Sequence, residues 1–159
     1  MKPLINVEDI TEFKGHEHGV FEAKYADVGG KIGARQLGYN ITIIPPEKKS
    51  WPFHNHHVSE EMFLILEGTG LLRHGDNKFS IKKGDIIACP TGDRSVAHQI
   101  INNGKTDLKY LALGTKKPYD ICEYPDSDKI LSRVTSEDEL NLWNMSKGNE
   151  SYDYFEGEE

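Results

Sequence analysis

Glycine-bearing turns recur about every ten residues through the middle of this chain: Gly29-Gly30, Gly68-Thr69-Gly70, Gly75-Asp76-Asn77, Gly84-Asp85, Pro90-Thr91-Gly92 and Asn103-Gly104. Between them lie short runs rich in apolar and β-branched residues, "YNITII", "EMFLIL", "GLLR", "KFSI", "DIIAC", "HQIIN" and "LKYLAL". No helical period survives for more than two turns between residues 30 and 115. Short strands at this regular spacing predict an all-β sandwich or barrel. "HGDNK" and "KKGD" read as hairpin turns between neighbouring strands.

The flanks read differently. Residues 1–29 form an irregular arm with one short turn near "NVEDI". In "TSEDELNLWNM", Ser136 stands three residues before Glu139, a capping-box spacing that predicts a short C-terminal helix. The length, 159 residues, is that of one domain, with the barrel over about 30–115 and a C-terminal extension over 116–159.

Charge separates the body from the tail. From Thr135 to Glu159 there are eight acids and one base, which accounts for the whole net charge of −7, while residues 1–134 balance at eighteen of each. A nucleic-acid surface is not expected, because no stretch interleaves aromatics with Lys and Arg. No apolar run approaches the roughly 20 residues of a membrane span. The start "MKPLINVEDITEF" lacks an apolar segment, and the cysteines are only two, Cys89 and Cys122; both features predict a cytoplasmic protein with reduced thiols.

The chemistry concentrates in "PFHNHHVSEEMFLILEG". On a strand, His54 and His56 leave the same face about 6.6 Å apart, close enough for two imidazoles to share one ion. A carboxylate, Glu60 or Glu61, follows at the head of the next strand. Imidazole with carboxylate suits Zn, Fe, Mn, Ni or Co. His16 and His18 repeat the His-x-His spacing and read as surface loop. The "EMFLIL" strand is apolar on both faces, so both require cover, and a homodimer would supply the second.

A second segment, "GDIIACPTGDRSVAHQIIN", brings a turn, a strand, a Pro-x-Gly turn and then His98. Together the two segments resemble the two motifs of the cupin superfamily. His54, His56, Glu61 and Gly68 fit the first motif, and Gly84, Pro90, Gly92, His98 and Asn102 fit the second. Lys48 stands where the family has a leading glycine, and the Gly92–His98 interval is longer than usual. "LGYNITIIPP", "YPDSDK" and the closing "YDYFEGEE" are similar to a group of small single-domain bacterial cupins described as sugar-phosphate- or mannose-phosphate-isomerase-like.

The resemblance implies a double-stranded β-helix (jelly roll) holding one divalent metal by His54, His56, Glu61 and His98, with Glu60 and His57 as alternative ligands. It implies Asn102 as a structural hydrogen-bonding residue. The function expected is that of a metal-dependent enzyme on a small polar metabolite, isomerase-like on a sugar phosphate or oxygenase-like. The alternative is a cupin that only binds or senses its ligand. Open coordination positions in a dry pocket favour the enzyme. A phosphate would need a cationic clamp, for which Arg94 is best placed, followed by Arg73. Either His74 or Arg73 faces inward, and Gln99, Tyr39 and Tyr110 are further pocket candidates, Tyr110 with ordinary packing as its simpler role. Cys89 reads as a buried structural thiol.

Overall fold

Why the middle of the chain rolls into a barrel is visible in how its strands alternate. The computed structural model describes residues 2–136, 139–148 and 151–158. Its strands are β1 (Lys14–His18), β2 (Phe21–Asp27), β3 (Leu37–Ile44), β4 (Asn55–His56), β5 (Glu61–Glu67), β6 (Thr69–His74), β7 (Asn77–Lys82), β8 (Ile86–Cys89), β9 (His98–Ile101), β10 (Leu108–Thr115), β11 (Tyr119–Tyr124), β12 (Lys129–Ser136) and β13 (Glu139–Lys147). They pair antiparallel in three sheets, β1-β2-β3-β10-β5-β8, β7-β6-β9 and β13-β12-β11-β4. This is the double-stranded β-helix that the turn spacing and motifs predict.

Along β5, Phe63 and Ile65 point inward and are buried, whereas Met62, Leu64 and Leu66 face outward and are only partly covered. The inward residues join Ile44, Leu72, Ile100 and Leu108 in one core. That core fills one part of the barrel, and Glu61, at the start of β5, stands beyond it. Gly68 makes the abrupt return from β5 to β6: its φ is +81°, and a Cβ there would lie 2.4 Å from the Asp107 carbonyl oxygen. Only glycine meets both conditions. Asn102 ties the neighbouring loop together, its amide donating to the carbonyls of Ile44 and Thr106 at 2.8 Å each while its oxygen accepts from the Gly104 N–H.

Both flanks differ from expectation. The short turn at Val7–Asp9 is present, but β1 and β2 form a hairpin that extends the largest sheet instead of an irregular arm, and Gly29–Ile32 adds one helical turn, α1. In "FEAKYAD" polar and nonpolar residues alternate over only a few positions, and the free edge of β3 completes the ladder. The C-terminal helix is a strand. β13 pairs with β12 from Ser136↔Glu139 to Lys129↔Lys147, with one irregularity, so the backbone ladder outweighs a local capping signal. Glu137 and Asp138 of that signal lie outside the described residues. Among the described residues no helix is long and apolar enough to cross a membrane.

Candidate metal centre

His54 and His98 lie far apart in sequence and meet by strand pairing. Each backbone N–H donates to the other's carbonyl, at 3.2 and 2.8 Å, so both side chains leave the same face with ring centroids 4.7 Å apart. His56 is two residues on, on β4, its ring 5.0 Å from that of His54. Glu61 enters from β5: its Oε2 lies 3.0 Å from Nε2 of His98 and 3.5 Å from Nε2 of His56. One donor atom each from His54, Glu61 and His98 lies within 4.8 Å of the others. Glu60 is exposed and bonds Thr115 through its backbone N–H and carbonyl rather than its carboxylate, and His57 is exposed with Nε2 on Glu123. Neither alternative ligand reaches the cluster.

The unused ring nitrogens show which atoms are free. Nδ1–H of His54 donates to the Pro52 carbonyl at 2.7 Å, which leaves Nε2 with its lone pair. Nδ1–H of His56 donates to Oδ2 of Asp120 at 2.7 Å, and Nε2 again is turned to the cluster. Asp120 is held in turn: its side chain is fully buried, and its Oδ1 accepts from the backbone N–H groups of Val58 and Ile121. Cys122 Sγ lies 3.2 Å from the same His56 nitrogen. His56, Asp120 and Cys122 also form a compact group of potential donors. Two of its members sit behind the imidazole, so the group backs His56 and orients it.

The proton affinities reflect this crowding. Burial, and then the neighbouring His98, bring His54 down to about 4. Burial opposes charge on His56 as well, but hydrogen bonds to Asp120, Cys122 and Glu61 carry it well upward. Burial alone would raise Glu61; its hydrogen bonds with His56 and His98 hold it far below the usual carboxylate range. A divalent transition ion fits this donor set, three imidazoles and one carboxylate with two of the rings locked in the tautomer that exposes Nε2.

A cavity of about 330 Å³ adjoins the cluster. Phe63, Ile100 and Ala112 form its apolar wall, Asn40, Thr42, Ser50 and Tyr110 its uncharged polar wall, and Tyr25 and Trp51 its outer part. Gln99 is buried and also contributes to the lining; Tyr110, expected as ordinary packing, lines it too, and burial pushes its phenol up to about 12.

The remaining candidates lie elsewhere. Tyr39 is on β3 one position from Asn40 and therefore on the opposite face, away from the lining. His74 pairs directly with His98, which settles that it, rather than Arg73, shares the inward face, but it is not among the lining residues. Arg73 points outward, bidentate to Asp126 at 2.7 and 2.8 Å and over the Phe53 ring. Arg94 binds Glu123 and Asp128. Nearby carboxylates claim both arginines. Cys89 and Cys122 are free and buried, and burial pushes the Cys89 thiol up to about 12, as a structural thiol requires.

Three residues were not legible as site residues. Asp120 and Cys122 show only as one face of the strand "YDICEY"; the pairing Cys122↔His56 gives them their role. Trp51 lies outside both motif segments, so nothing in its surroundings marks it.

Residues 40–114 match the cupin domain family. Over these residues the barrel is a cupin domain. A candidate sugar phosphate isomerase of Acidithiobacillus ferrooxidans has the same fold, with a TM-score of 0.80, 26% identity and 92% of each chain covered. An uncharacterized protein of Methanocaldococcus jannaschii, MJ1618, is 39% identical over 83 residues, covering 52% of this chain and 56% of that protein. The oxalate-binding protein of Thermotoga maritima is 34% identical over 68 residues, covering 43% and 54%. This chain thus spans little more than half the length of these two relatives.

Proposed function

We propose that this cupin is a metal-dependent enzyme acting on a small polar metabolite, with His54, His56, Glu61 and His98 holding one divalent ion of the Zn, Fe, Mn, Ni or Co type. The observation that carries the reading is the convergence of three imidazoles and one carboxylate on the wall of a cavity that opens to the surface. Bound there, such an ion supplies Lewis-acid chemistry, polarising a carbonyl or hydroxyl oxygen so that a proton can leave the neighbouring carbon. The chain's own residues orient the ligand: Asn40, Thr42 and Tyr110 offer hydrogen bonds, and Phe63 and Ile100 keep water from the apolar wall. The candidate isomerase with the same fold supports an isomerase-like reaction. Oxygenase-like chemistry uses the same donor set with a redox-active ion.

The second reading, a cupin that binds its ligand without turning it over, is favoured by the similarity to a protein named for binding oxalate. The cytoplasm and a homodimer belong to the proposal as well; the latter is supported by the outward apolar residues Met62 and Ile86, 39% and 68% exposed.

The test is elemental analysis of purified protein beside its variants. One equivalent of a transition metal is expected in the parent and in Glu60→Gln, with most of it lost in His56→Ala and Glu61→Gln while circular dichroism stays that of a β-barrel. Full occupancy in His56→Ala would overturn the ligand assignment. Turnover abolished by chelation and restored by metal distinguishes the enzyme from the binding protein.

A further inference from the structure

We propose that the cavity takes the uncharged body of a small oxygen-chelating molecule against Trp51 and Tyr25, and that it discriminates against phosphate esters. The inference rests on the metal reading above and gives it a substrate class: α-hydroxy carbonyls and α-hydroxy acids without a phosphate.

Charge is the first ground. Among the described residues lining the cavity, every ionisable side chain except the two tyrosines belongs to the candidate metal centre, and no Lys or Arg is present. A divalent ion with one carboxylate leaves a net charge of about +1 at that end only. A chelating hydroxy-carbonyl or carboxylate meets that charge directly. A phosphate carried at the other end of the molecule would face Asn40, Thr42, Ser50 and Tyr110, all neutral. Charge-assisted hydrogen bonds are roughly twice as strong as neutral ones, and stripping water from an ion that gains no counter-charge is strongly unfavourable. The two arginines nearest in sequence to the centre cannot turn inward without abandoning Asp126, or Glu123 and Asp128.

The second ground is the way Trp51 is held. Nε2–H of His16 donates to the carbonyl of Ser50 at 2.8 Å, and the Gln99 amide donates to the carbonyl of Trp51, also at 2.8 Å. The His16 ring lies 4.4 Å from the Trp51 ring on one side and Tyr25 lies 5.7 Å away on another, yet the indole remains 41% exposed. The backbone on both sides of the side chain is pinned while the ring's contact area is left open. A ring so restrained loses little conformational entropy when a ligand covers it, and its face accepts C–H groups or another ring rather than an anion, since the face itself is electron-rich. The His16 position, on an edge hairpin, thereby acquires a use that a surface loop would not have. The volume, about 330 Å³, sits at the lower end of the range for small-molecule sites, roughly 300–1,000 Å³.

The chain has two tryptophans, so Trp143→Phe leaves Trp51 as the sole indole reporter. Zinc-loaded Trp143→Phe protein is titrated with matched pairs: dihydroxyacetone and its phosphate, D-fructose and D-fructose 6-phosphate, glycerate and 3-phosphoglycerate. Trp51 fluorescence is expected to respond to at least one unphosphorylated member, and its phosphate ester to bind at least ten-fold more weakly. Calorimetry on Trp51→Ala is expected to show at least a ten-fold loss for the same ligand with zinc content unchanged. Tighter binding of the phosphate esters, no response to any unphosphorylated member, or unaltered affinity in Trp51→Ala overturns the proposal. Zinc content measured on the same samples reports separately on the metal reading: a protein that does not load zinc fails there, and the substrate class falls with it.

Discussion

His56 and Asp120 are separated by 64 residues and meet at 2.7 Å, and the orientation of the imidazole depends on that meeting. With Nδ1–H committed to a buried carboxylate, the ring presents Nε2 to Glu61 and cannot rotate without stranding a charge. Orienting carboxylates of this kind are typically worth ten- to a hundred-fold in metal affinity. Asp120→Asn keeps the side-chain volume and can still accept from Val58 and Ile121, but it replaces the charged acceptor. Zinc affinity is expected to fall about ten- to a hundred-fold, and the same substitution in a His56→Ala background is expected to add almost nothing. Equal losses in both backgrounds would show that Asp120 only stabilises the strand. The contrast with the ligands themselves explains what could be read early. His54 and His56 fall within one short stretch, where the two-residue period of a strand puts both on one face; that period does not choose between Glu60 and Glu61, and Glu61 followed from the resemblance to the first cupin motif. His98 came from its place after a Pro-x-Gly turn, whereas Asp120 depends on a pairing, β11 with β4, that no local spacing encodes.

Elements were legible where turns and alternation agreed, and misread where a lone local signal competed with a neighbouring edge. From β5 to β10 a glycine stands in the turn between successive strands, so their existence followed from residue types alone. At the ends, the β1–β2 and β12–β13 hairpins exist because edges of β3 and β11 were free to be paired, and a capping-box spacing carries no information about such an edge. Gly68 shows how demanding a turn inside the barrel can be. Alanine there must adopt a φ of +81° and place its Cβ 2.4 Å from a backbone oxygen. Strain in the left-handed region with a forced backbone shift is expected to cost about 2–4 kcal/mol. Urea denaturation of Gly68→Ala should therefore show a lowered midpoint at unchanged slope. By comparison, Gly84→Ala has the same backbone problem, φ +93°, but nothing within 4 Å of the added carbon, and should lose less. Equal losses would mean that φ alone, and not the approach of Asp107, sets the requirement for glycine at Gly68.

At the scale of the molecule, the outer face of the largest sheet remains incompletely covered. Ala26, Ile41, Leu111, Leu64 and Ile86 lie in register across five strands, and this row runs from a buried end at Ala26 and Ile41 to an exposed end at Ile86. The N-terminal arm touches this sheet through the Glu8–Lys109 ion pair, whereas Ile86 on β8 stays exposed among the described residues. A strand such as β5, apolar on both faces, is ordinarily buried on both. The charge distribution is permissive: the net −7 resides in residues 135–159, so two bodies with balanced charge would meet without strong repulsion. The homodimer proposed above therefore predicts light scattering at twice the chain mass of 18.0 kDa at micromolar concentration. Ile86→Asp combined with Met62→Lys should return the protein to 18.0 kDa while leaving its zinc content intact, because both side chains point away from the cavity. A parent protein that already scatters as a monomer would overturn the dimer. A double variant that stays dimeric would move the interface to another surface, and the exposed Leu142 and Trp143 of β13 would be the next to substitute.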